Sequence, residues 1–396
     1  MTTLLTNSYK ALTDTSAIAL AQKLTFFPEG AELTSREIGD GNLNYVFKIT
    51  DSENGNGLII KQALPYAKVV GESWPLTLKR AAIEANALAK HGELAPGLVP
   101  VVYATNDELA VTVMEDLSHL TIVREGLIQG ETYPHLAKDI GIYLAQTLFH
   151  TSDFALHPFD KKRLAVEFSN PELCKITEDL IFTDPFFDHE TNDFEPKIRG
   201  EVEAIWNNGP LKLEAAKLKT SFLTEAEALL HGDLHTGSIF ASETETKVID
   251  PEFAFYGPIG FDIGLFLANL MVQSVTREGE GRSIILNHIK QTWTVFVDRF
   301  SELWDEQAAQ SFKDTAGYKE CVVEKIFRDA IGFAGCEMIR RTIGLAHVKD
   351  LDGIEDAERR IELKKQTLRI GEALILQRSE LLSISAVLAL LEEKSQ

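Results

Sequence analysis

The spacing of hydrophobic residues changes near Leu117, and this change limits the folds that the chain can adopt. Upstream, apolar and polar residues alternate in NYVFKIT (44–50), and the apolar-rich GLIIKQA (57–63) follows after the turn-rich DSENGN. A period of two residues predicts strands, and the intervening turn predicts a β-hairpin. From about Pro134 onward, apolar residues recur three and four residues apart, which predicts helices.

These two patterns predict a chain of two lobes. Its 396 residues already exceed what one hydrophobic core usually supports. We expect residues 1–117 to form a small antiparallel sheet with one main helix, and residues 118–396 to be mostly helical with one strand-like interruption at 239–250. The predicted fold class is therefore α+β.

The helix boundaries in the first part can also be predicted. Thr15 or Ser16 is a suitable cap for an early helix that runs through Leu24. The main helix should start at Ser73 and Pro75, because proline is favoured in the first helical turn, and it should end at Gly92.

The composition argues against several classes of partner. A net charge of −21 opposes binding to nucleic acid or to an anionic membrane through long-range repulsion. The most apolar run, residues 253–275, is interrupted by Pro258 and Asp262, which favours a buried helix over a membrane span. We therefore expect no nucleic-acid partner and no membrane partner.

The cysteines and the first residues indicate a cytoplasmic protein. Cys174, Cys321 and Cys336 lie far apart without CxxC spacing, so neither a disulfide framework nor a zinc site is indicated. The opening MTTLLTNSYK lacks the basic region and long apolar core of a secretory signal. A reducing cytosol fits both observations.

Two acidic residues follow the strand-like interruption. KVIDPEFAFYG (247–257) places Asp250 and Glu252 two residues apart, which in an extended chain points both carboxylates to one side. Pro251 between them has no N–H to donate to a ladder, so a strand end is implied. Two like-directed carboxylates repel unless a cation lies between them, and their oxygens suit magnesium when phosphate supplies further ligands.

A third acid lies in the tight loop of LLHGDLHTGSIF (229–240). A hairpin through 239–250 would bring Asp250 beside Asp233, and Asp233, free of the cation, could accept a proton from a hydroxyl nucleophile. The two histidines of this loop, His231 and His235, could have a structural role and hydrogen-bond the loop backbone. Alternatively, they could ligate zinc together with Asp233 in a hydrolase.

A site for phosphoryl transfer must also hold a nucleotide. Gly39 and Gly41 lie in a turn where backbone amides could approach phosphate, and Lys61 ends an apolar triplet where it could bind phosphate oxygens or remain a surface side chain. Glu84, with Glu72 as the second choice, could pair with Lys61. VMEDL (113–117) joins the two lobes and could present backbone groups to adenine.

An arginine pair lies in a largely apolar helical segment, KIFRDAIGFAGCEMIRRTIGLAHV. Arg340 and Arg341 point about a hundred degrees apart on a helix, so at least one should approach the interior, where a guanidinium requires an anion. That anion could be a transferring phosphate or a structural Asp or Glu. Asp262 in GFDIG is expected to be a structural acceptor that braces the loop of Asp233.

Taken together, these motifs resemble the protein-kinase-like superfamily of small-molecule kinases, which includes aminoglycoside phosphotransferases and choline kinases. HGDLHTGSIF, VIDPEF, GDGNLNYVFKI, IIK and MEDL occur in the superfamily's order over nearly the whole chain. GDGNLNYVF, the DPE triplet and the late RRTIG are most similar to the branch that phosphorylates a neutral, thioether-bearing ribose at its anomeric hydroxyl in methionine salvage.

The resemblance implies a two-lobed protein-kinase-like fold, with the nucleotide in the N-terminal lobe and the catalytic loop in the C-terminal lobe. It implies ATP and Mg²⁺ as cofactors and a homodimer. Other acceptors, such as an aminoglycoside, choline or homoserine, and a non-catalytic nucleotide-binding scaffold remain alternatives.

The resemblance also implies residue roles. Asp233 would be the base facing the sugar, with Arg340 and Arg341 near the substrate; Asp250 and Glu252, flanking Pro251, would hold the metal; Asn44 and Lys61 would contact phosphates; and Glu115, Asp116 and Leu117 would bind adenine. The superfamily commonly has asparagine five residues after the base. This chain has Ser238 there, which puts a second metal contact in doubt.

Overall fold

The structure, a computed structural model, describes residues 9–38, 43–67 and 71–394, and for residue 67 and residues 71–74 it describes the backbone alone. The chain divides into two compact units. Unit 1 runs to Leu120 and also contains Lys247–Phe253, and unit 2 contains Thr121–Thr246 and the residues from Ala254 onward. A small antiparallel sheet in unit 1 and mostly helices in unit 2 confirm the α+β fold class.

Unit 1 is built on an antiparallel sheet. The strands of this unit are β1 (Leu33–Glu37), β2 (Asn44–Asp51), β3 (Gly57–Ala63), β4 (Tyr66–Ala67), β5 (Gly71–Pro75), β6 (Val102–Asn106) and β7 (Val111–Glu115). Five of them form one sheet in the order β1-β2-β3-β7-β6, and β4 pairs with β5 separately. The predicted hairpin is confirmed, because β2 and β3 are antiparallel neighbours with Phe47 opposite Ile60.

The first helix, α1 (Asp14–Ala21), packs on this sheet. Alternate strand residues, including Phe47 and Ile60, are buried against Ala17 and Ala21 of the helix. The predicted boundaries are wrong: Thr13 is the cap, exchanging hydrogen bonds with Ser16, and the helix ends three residues before Leu24. Thr13 is the N-cap because its side-chain oxygen accepts a hydrogen bond from a backbone N–H of the first turn, which has no partner within the helix.

The main helix of unit 1, α2 (Lys79–Leu94), begins later than predicted. Ser73 and Pro75 lie in β5, so strand pairing with β4 overrides the local signals for a helix start. Gly92 does not end the helix either. A Cβ at Gly92 would lie 3.3 Å from the Val99 side chain, so this glycine permits close packing.

Unit 2 contains short strand pairs. The strands are β8 (Thr121–Ile122), β9 (Ala228–Leu230), β10 (Ile239–Ala241), β11 (Thr246–Val248), which begins in this unit, and β12 (Phe255–Gly257). β8 pairs with β10, and β9 pairs with β12. The predicted interruption at 239–250 contains β10 and β11, joined by a turn in which the Ser242 N–H donates to the Glu245 carbonyl at 2.9 Å.

Helices make up most of unit 2. They are α3 (Val123–Gln129), α4 (Leu136–His150), α5 (Pro158–Glu167), α6 (Pro171–Phe182), α7 (Arg199–Asn207), α8 (Gly209–Thr224), α9 (Gly260–Val275), α10 (Gly279–Gln307), α11 (Tyr318–Ile343), α12 (Lys349–Asp352), α13 (Ala357–Gln377) and α14 (Ile384–Lys394). Every residue of α9 is buried, which confirms the prediction for the apolar run. Among the described residues, no helix combines the length and apolarity that a membrane crossing requires.

Candidate active site

A lysine on β3 bonds to two carboxylates in unit 1. Lys61 Nζ donates to Glu84 Oε1 on α2 at 2.8 Å and to the carboxylate of Asp250. Glu84 is thus the observed partner, while the side chain of Glu72 lies outside the described residues. Burial alone would lower the pKa of Lys61, but the charges of Asp250 and Glu84 raise it above its usual range. Lys61 is therefore a fixed positive charge.

Three carboxylates converge beside this lysine. Glu84, Asp250 and Glu252 each have an oxygen within 4.8 Å of the others. Burial raises the pKa of Glu84 although Lys61 opposes the shift, and burial followed by the charge of Asp250 raises the pKa of Glu252. Such mutual repulsion is relieved by a cation, and a set of hard oxygen donors fits magnesium.

A buried arginine, absent from the sequence predictions, holds Glu252 in place. Arg80 is fully buried, and its Nη1 donates to Glu252 Oε2 at 3.1 Å and to Asn44 Oδ1 at 2.6 Å. Asn44 Nδ2 in turn donates to Glu252 Oε2 at 3.2 Å. Arg80 and Glu84 are four residues apart on α2, which places them on one helix face. That spacing is the signal that could have pointed to Arg80.

Asp250 has an uncommon backbone conformation. Its φ of 68° lies in the left-handed region, which residues with a Cβ rarely adopt. β11 ends at Val248, so Asp250 and Glu252 are not in an extended strand, and the expectation that strand alternation aligns them is wrong. Instead, a turn through Pro251 brings Asp250 and Glu252 together with Glu84 in the cluster of three carboxylates. Strain of this kind persists where the surrounding structure enforces it.

The loop that follows β9 is braced by an acid on α9. Asp262, which is buried, accepts from the His231 N–H at 2.6 Å and from the Gly232 N–H at 3.0 Å. Gly232 has a φ of 86°, a conformation suited to glycine. The ring of His231 accepts from the Asp233 N–H at 3.2 Å, so this histidine shapes the loop backbone. Asp262 is the structural acceptor that was predicted.

Ser238 closes the same loop. Its hydroxyl lies 2.9 Å from the His235 carbonyl and 3.1 Å from the Asp233 carbonyl, and it accepts from the His235 N–H at 2.9 Å. Ser238 is buried at the end of a 3₁₀ turn, Thr236–Ser238. Its hydroxyl is therefore engaged with the loop backbone.

Asp233 lies among positively charged and polar groups of unit 2. His235 Nε2 is 3.5 Å from one carboxylate oxygen of Asp233, and Arg341 Nη2 is 3.9 Å from the other. Burial would raise the pKa of Asp233, but His235, followed by Arg340 and Arg341, holds it well below its usual range. The carboxylate is thus ionised at neutral pH.

The two arginines share one buried carboxylate, Glu337, which the sequence predictions did not single out. Arg340 Nη1 donates to Glu337 Oε2 at 2.9 Å, and Arg341 Nε donates to Glu337 Oε1 at 2.6 Å. Glu337 has no exposed side-chain surface. The structural pairing considered for this arginine pair is therefore present, and Arg341 additionally faces Asp233.

The zinc alternative finds no support among the described residues. There, the one group with metal-binding spacing is Glu84, Asp250 and Glu252, and it contains neither histidine of the loop.

The segment from Glu115 to Leu117 uses its side chains within unit 1. Glu115 accepts from Lys247 Nζ at 3.3 Å and from the Val101 N–H at 3.1 Å. Asp116 pairs with Lys48 at 2.9 Å. The adenine contacts expected of this segment would therefore come from its backbone. Gly39 and Gly41 lie outside the described residues.

Comparison with known proteins agrees with this geometry. Residues 34–289 match the phosphotransferase enzyme family. A methylthioribose kinase of Geobacillus sp. (strain WCH70) is 59% identical over 382 residues, covering 96% of each chain. A methylthioribose kinase of Geobacillus kaustophilus (strain HTA426) is also 59% identical, with 96% of each chain covered. A methylthioribose kinase of Bacillus velezensis (strain DSM 23117 / BGSC 10A6 / LMG 26770 / FZB42) is 57% identical, with 97% of this chain and 96% of the relative covered. Identity of this order over almost the full length confirms the resemblance. This chain belongs to the methylthioribose kinase family.

Proposed function

We propose that this protein transfers the γ-phosphate of ATP to the 1-hydroxyl of methylthioribose, giving methylthioribose 1-phosphate and ADP in methionine salvage. The observation that carries the proposal is full-length similarity to methylthioribose kinases, at 59% identity with 96% of each chain covered.

In unit 1, Lys61 and Asn44 bind the ATP phosphates. Lys61 keeps its charge because Glu84 and Asp250 surround its ammonium, so it can attract phosphate oxygens. Glu115, Asp116 and Leu117 present their backbone to adenine.

Asp250 and Glu252 would hold Mg²⁺, with Pro251 fixing the turn between them. Arg80 and Asn44 fix the orientation of the Glu252 carboxylate. When bound, the ion neutralises charge on the phosphate groups.

In unit 2, Asp233 accepts the proton of the sugar hydroxyl as the new oxygen–phosphorus bond forms and the bond to ADP breaks. A carboxylate with a lowered pKa is a weak base. It suffices where the transition state is loose and the proton leaves late. Arg340 and Arg341 stabilise the negative charge of the transferring group, and Glu337 orients them both.

A screen of acceptors that measures ADP release tests this function. Methylthioribose should give the highest kcat/KM among neutral sugars, aminoglycosides, choline and homoserine. Preference for a cationic amine would replace the proposed acceptor. Tight ATP binding without turnover on any acceptor would indicate a nucleotide-binding scaffold.

We further propose that the protein works as a homodimer, as its resemblance to small-molecule kinases implies, and that it works in the cytoplasm, as its widely spaced cysteines indicate. Sedimentation at several protein concentrations would measure the dimer directly.

A further inference from the structure

The hydrogen bonds of His235 define its tautomer. His235 Nδ1 accepts from the Gly237 N–H at 3.0 Å, so this nitrogen carries no proton. The proton of a neutral ring is therefore on Nε2, which lies 3.5 Å from Asp233 Oδ2. A second proton on Nδ1 would face the Gly237 N–H, one donor against another. The cap of the Thr236–Ser238 turn thus requires a neutral imidazole.

An arginine from another element packs against this turn. Arg124, in the first turn of α3, approaches Gly237 so closely that a Cβ there would lie 2.7 Å from Arg124 Nη1 and 3.0 Å from His235 Cε1. Gly237 does not have a positive φ, so the absence of a side chain here serves close approach.

Arg124 is held on its other side by α9 and α12. Its Nη2 donates to Asn269 Oδ1 at 2.9 Å, and its Nε lies 3.3 Å from Asp350 Oδ2. Asp350 is buried and also accepts from the amide of Gln273. A guanidinium fixed at this many points cannot easily move away from Gly237.

The groups that face His235 are of both signs. Asp233 lies in its own loop, Arg124 comes from α3 and Arg341 from α11. From α9, Asn269 bonds to Arg124, and Asp262 bonds to the loop backbone at His231. Burial lowers the pKa of His235, Asp233 opposes that shift, and Arg124 followed by Arg341 adds to it. The two arginines therefore act against protonation of the ring.

We propose that Arg124 is a positioning residue of the catalytic loop, which keeps His235 neutral so that the imidazole caps its own turn and points its Nε2–H at Asp233. The consequence for catalysis rests on the proposed function, in which Asp233 is the base. The effect on His235 itself does not.

NMR titration of ¹³C-labelled histidine tests the proposal on the full chain. In Arg124→Gln the His235 midpoint should rise by about half a pH unit or more, because a unit charge has left the loop. Arg124→Lys, which keeps the charge, should retain most of the wild-type midpoint. Arg199→Gln removes an exposed arginine of α7 and should leave it unchanged.

A substitution that keeps the charge but displaces it gives an independent test. Gly237→Ala should push the Arg124 guanidinium away and weaken its contacts with Asn269 and Asp350, because an added Cβ would lie 2.7 Å from Nη1. The His235 midpoint should again rise. In both variants, the pH at which kcat/KM for methylthioribose falls on the acid side should rise by the same amount as the His235 midpoint.

The outcomes separate the two proposals. An unchanged His235 midpoint in Arg124→Gln and in Gly237→Ala overturns the role of Arg124, whatever the acceptor. If Arg124→Gln does not fold, the Gly237→Ala titration decides alone. A raised midpoint in a protein that does not phosphorylate methylthioribose upholds the effect on His235 and rejects the proposed function.

Discussion

Replacing Glu337 with glutamine should destabilise the protein strongly. The Glu337 carboxylate has no exposed side-chain surface and accepts from Arg340 and Arg341 through different oxygens, at 2.9 and 2.6 Å. Glutamine has one acceptor oxygen, and its NH₂ group would meet the donors of the second arginine. One guanidinium would then be buried without its counter-charge.

The expected loss follows from this geometry. Removing one partner of a buried ion pair typically costs about 3–5 kcal/mol, because the remaining charge is left uncompensated. Asp233 lies 3.9 Å from Arg341 and compensates part of that charge, so we expect the lower end, about 3 kcal/mol. For a unit of this size, the melting temperature should fall by about 5 °C or more.

The loss should depend on pH in a defined direction. Burial would raise the pKa of Glu337, but Arg340 and Arg341 lower it below its usual 4.5. A carboxylate whose pKa is lower in the folded state stabilises the protein fully above the unfolded value and loses this contribution as pH falls through the folded value. The difference in stability between wild type and Glu337→Gln should therefore be constant from about pH 6 to 8 and shrink below about pH 4.5.

Urea unfolding and thermal melting at each pH measure the difference. Glu203→Gln is the matched control, because Glu203 pairs with Arg199 on an exposed helix surface at 3.5 Å and should contribute little. If Glu337→Gln is as stable as Glu203→Gln at neutral pH, the buried carboxylate does not hold the arginine pair.

Three further predictions concern the two units separately. Asp233→Ala should lower kcat by about 10²–10⁴-fold while ATP affinity, measured by calorimetry, stays near wild type; undiminished turnover would remove Asp233 from the mechanism. Asp250→Asn should weaken Mg²⁺-dependent ATP binding, and an ATP affinity equal to that of wild type in titrations with Mg²⁺ would contradict the metal role. Gly264→Ala should destabilise the packing of α9 on α11, because its Cβ would lie 2.5 Å from the Ala330 carbonyl oxygen, whereas Gly281→Ala on α10 meets only the Arg277 side chain at 3.8 Å and should be neutral or stabilising in the same melting assay.

The fold was predictable where hydrophobic periodicity is long and strong. β2 follows the alternation of its residues, β3 follows its short apolar run after a turn-rich segment, and the buried α9 follows its apolar composition. Short elements were missed, because three-residue strands such as β9 and β12 carry no readable period. The late start of α2 depends on the pairing of β4 with β5, which local helix signals at Ser73 and Pro75 do not report.

The candidate site was predictable where side-chain chemistry and spacing coincide. Lys61 was found as the charge that ends an apolar triplet, and Asp250 and Glu252 as paired carboxylates at an expected strand end. The structure brings them together with Glu84. The residues that orient them were not found. Arg80 and Glu337 are charged side chains in helices, and their burial depends on packing that a single sequence does not reveal.

The central claim concerns which oxygen receives the phosphate. ³¹P and ¹H NMR of a reaction containing ATP, Mg²⁺ and methylthioribose would identify the product directly, with Asp233→Asn as the matched control. We predict a single sugar phosphate carrying its phosphorus on the anomeric oxygen, formed by wild type and almost absent with the variant. Phosphorylation at another hydroxyl, or equal product from both proteins, would contradict the assignment of Asp233 as the base at the 1-hydroxyl.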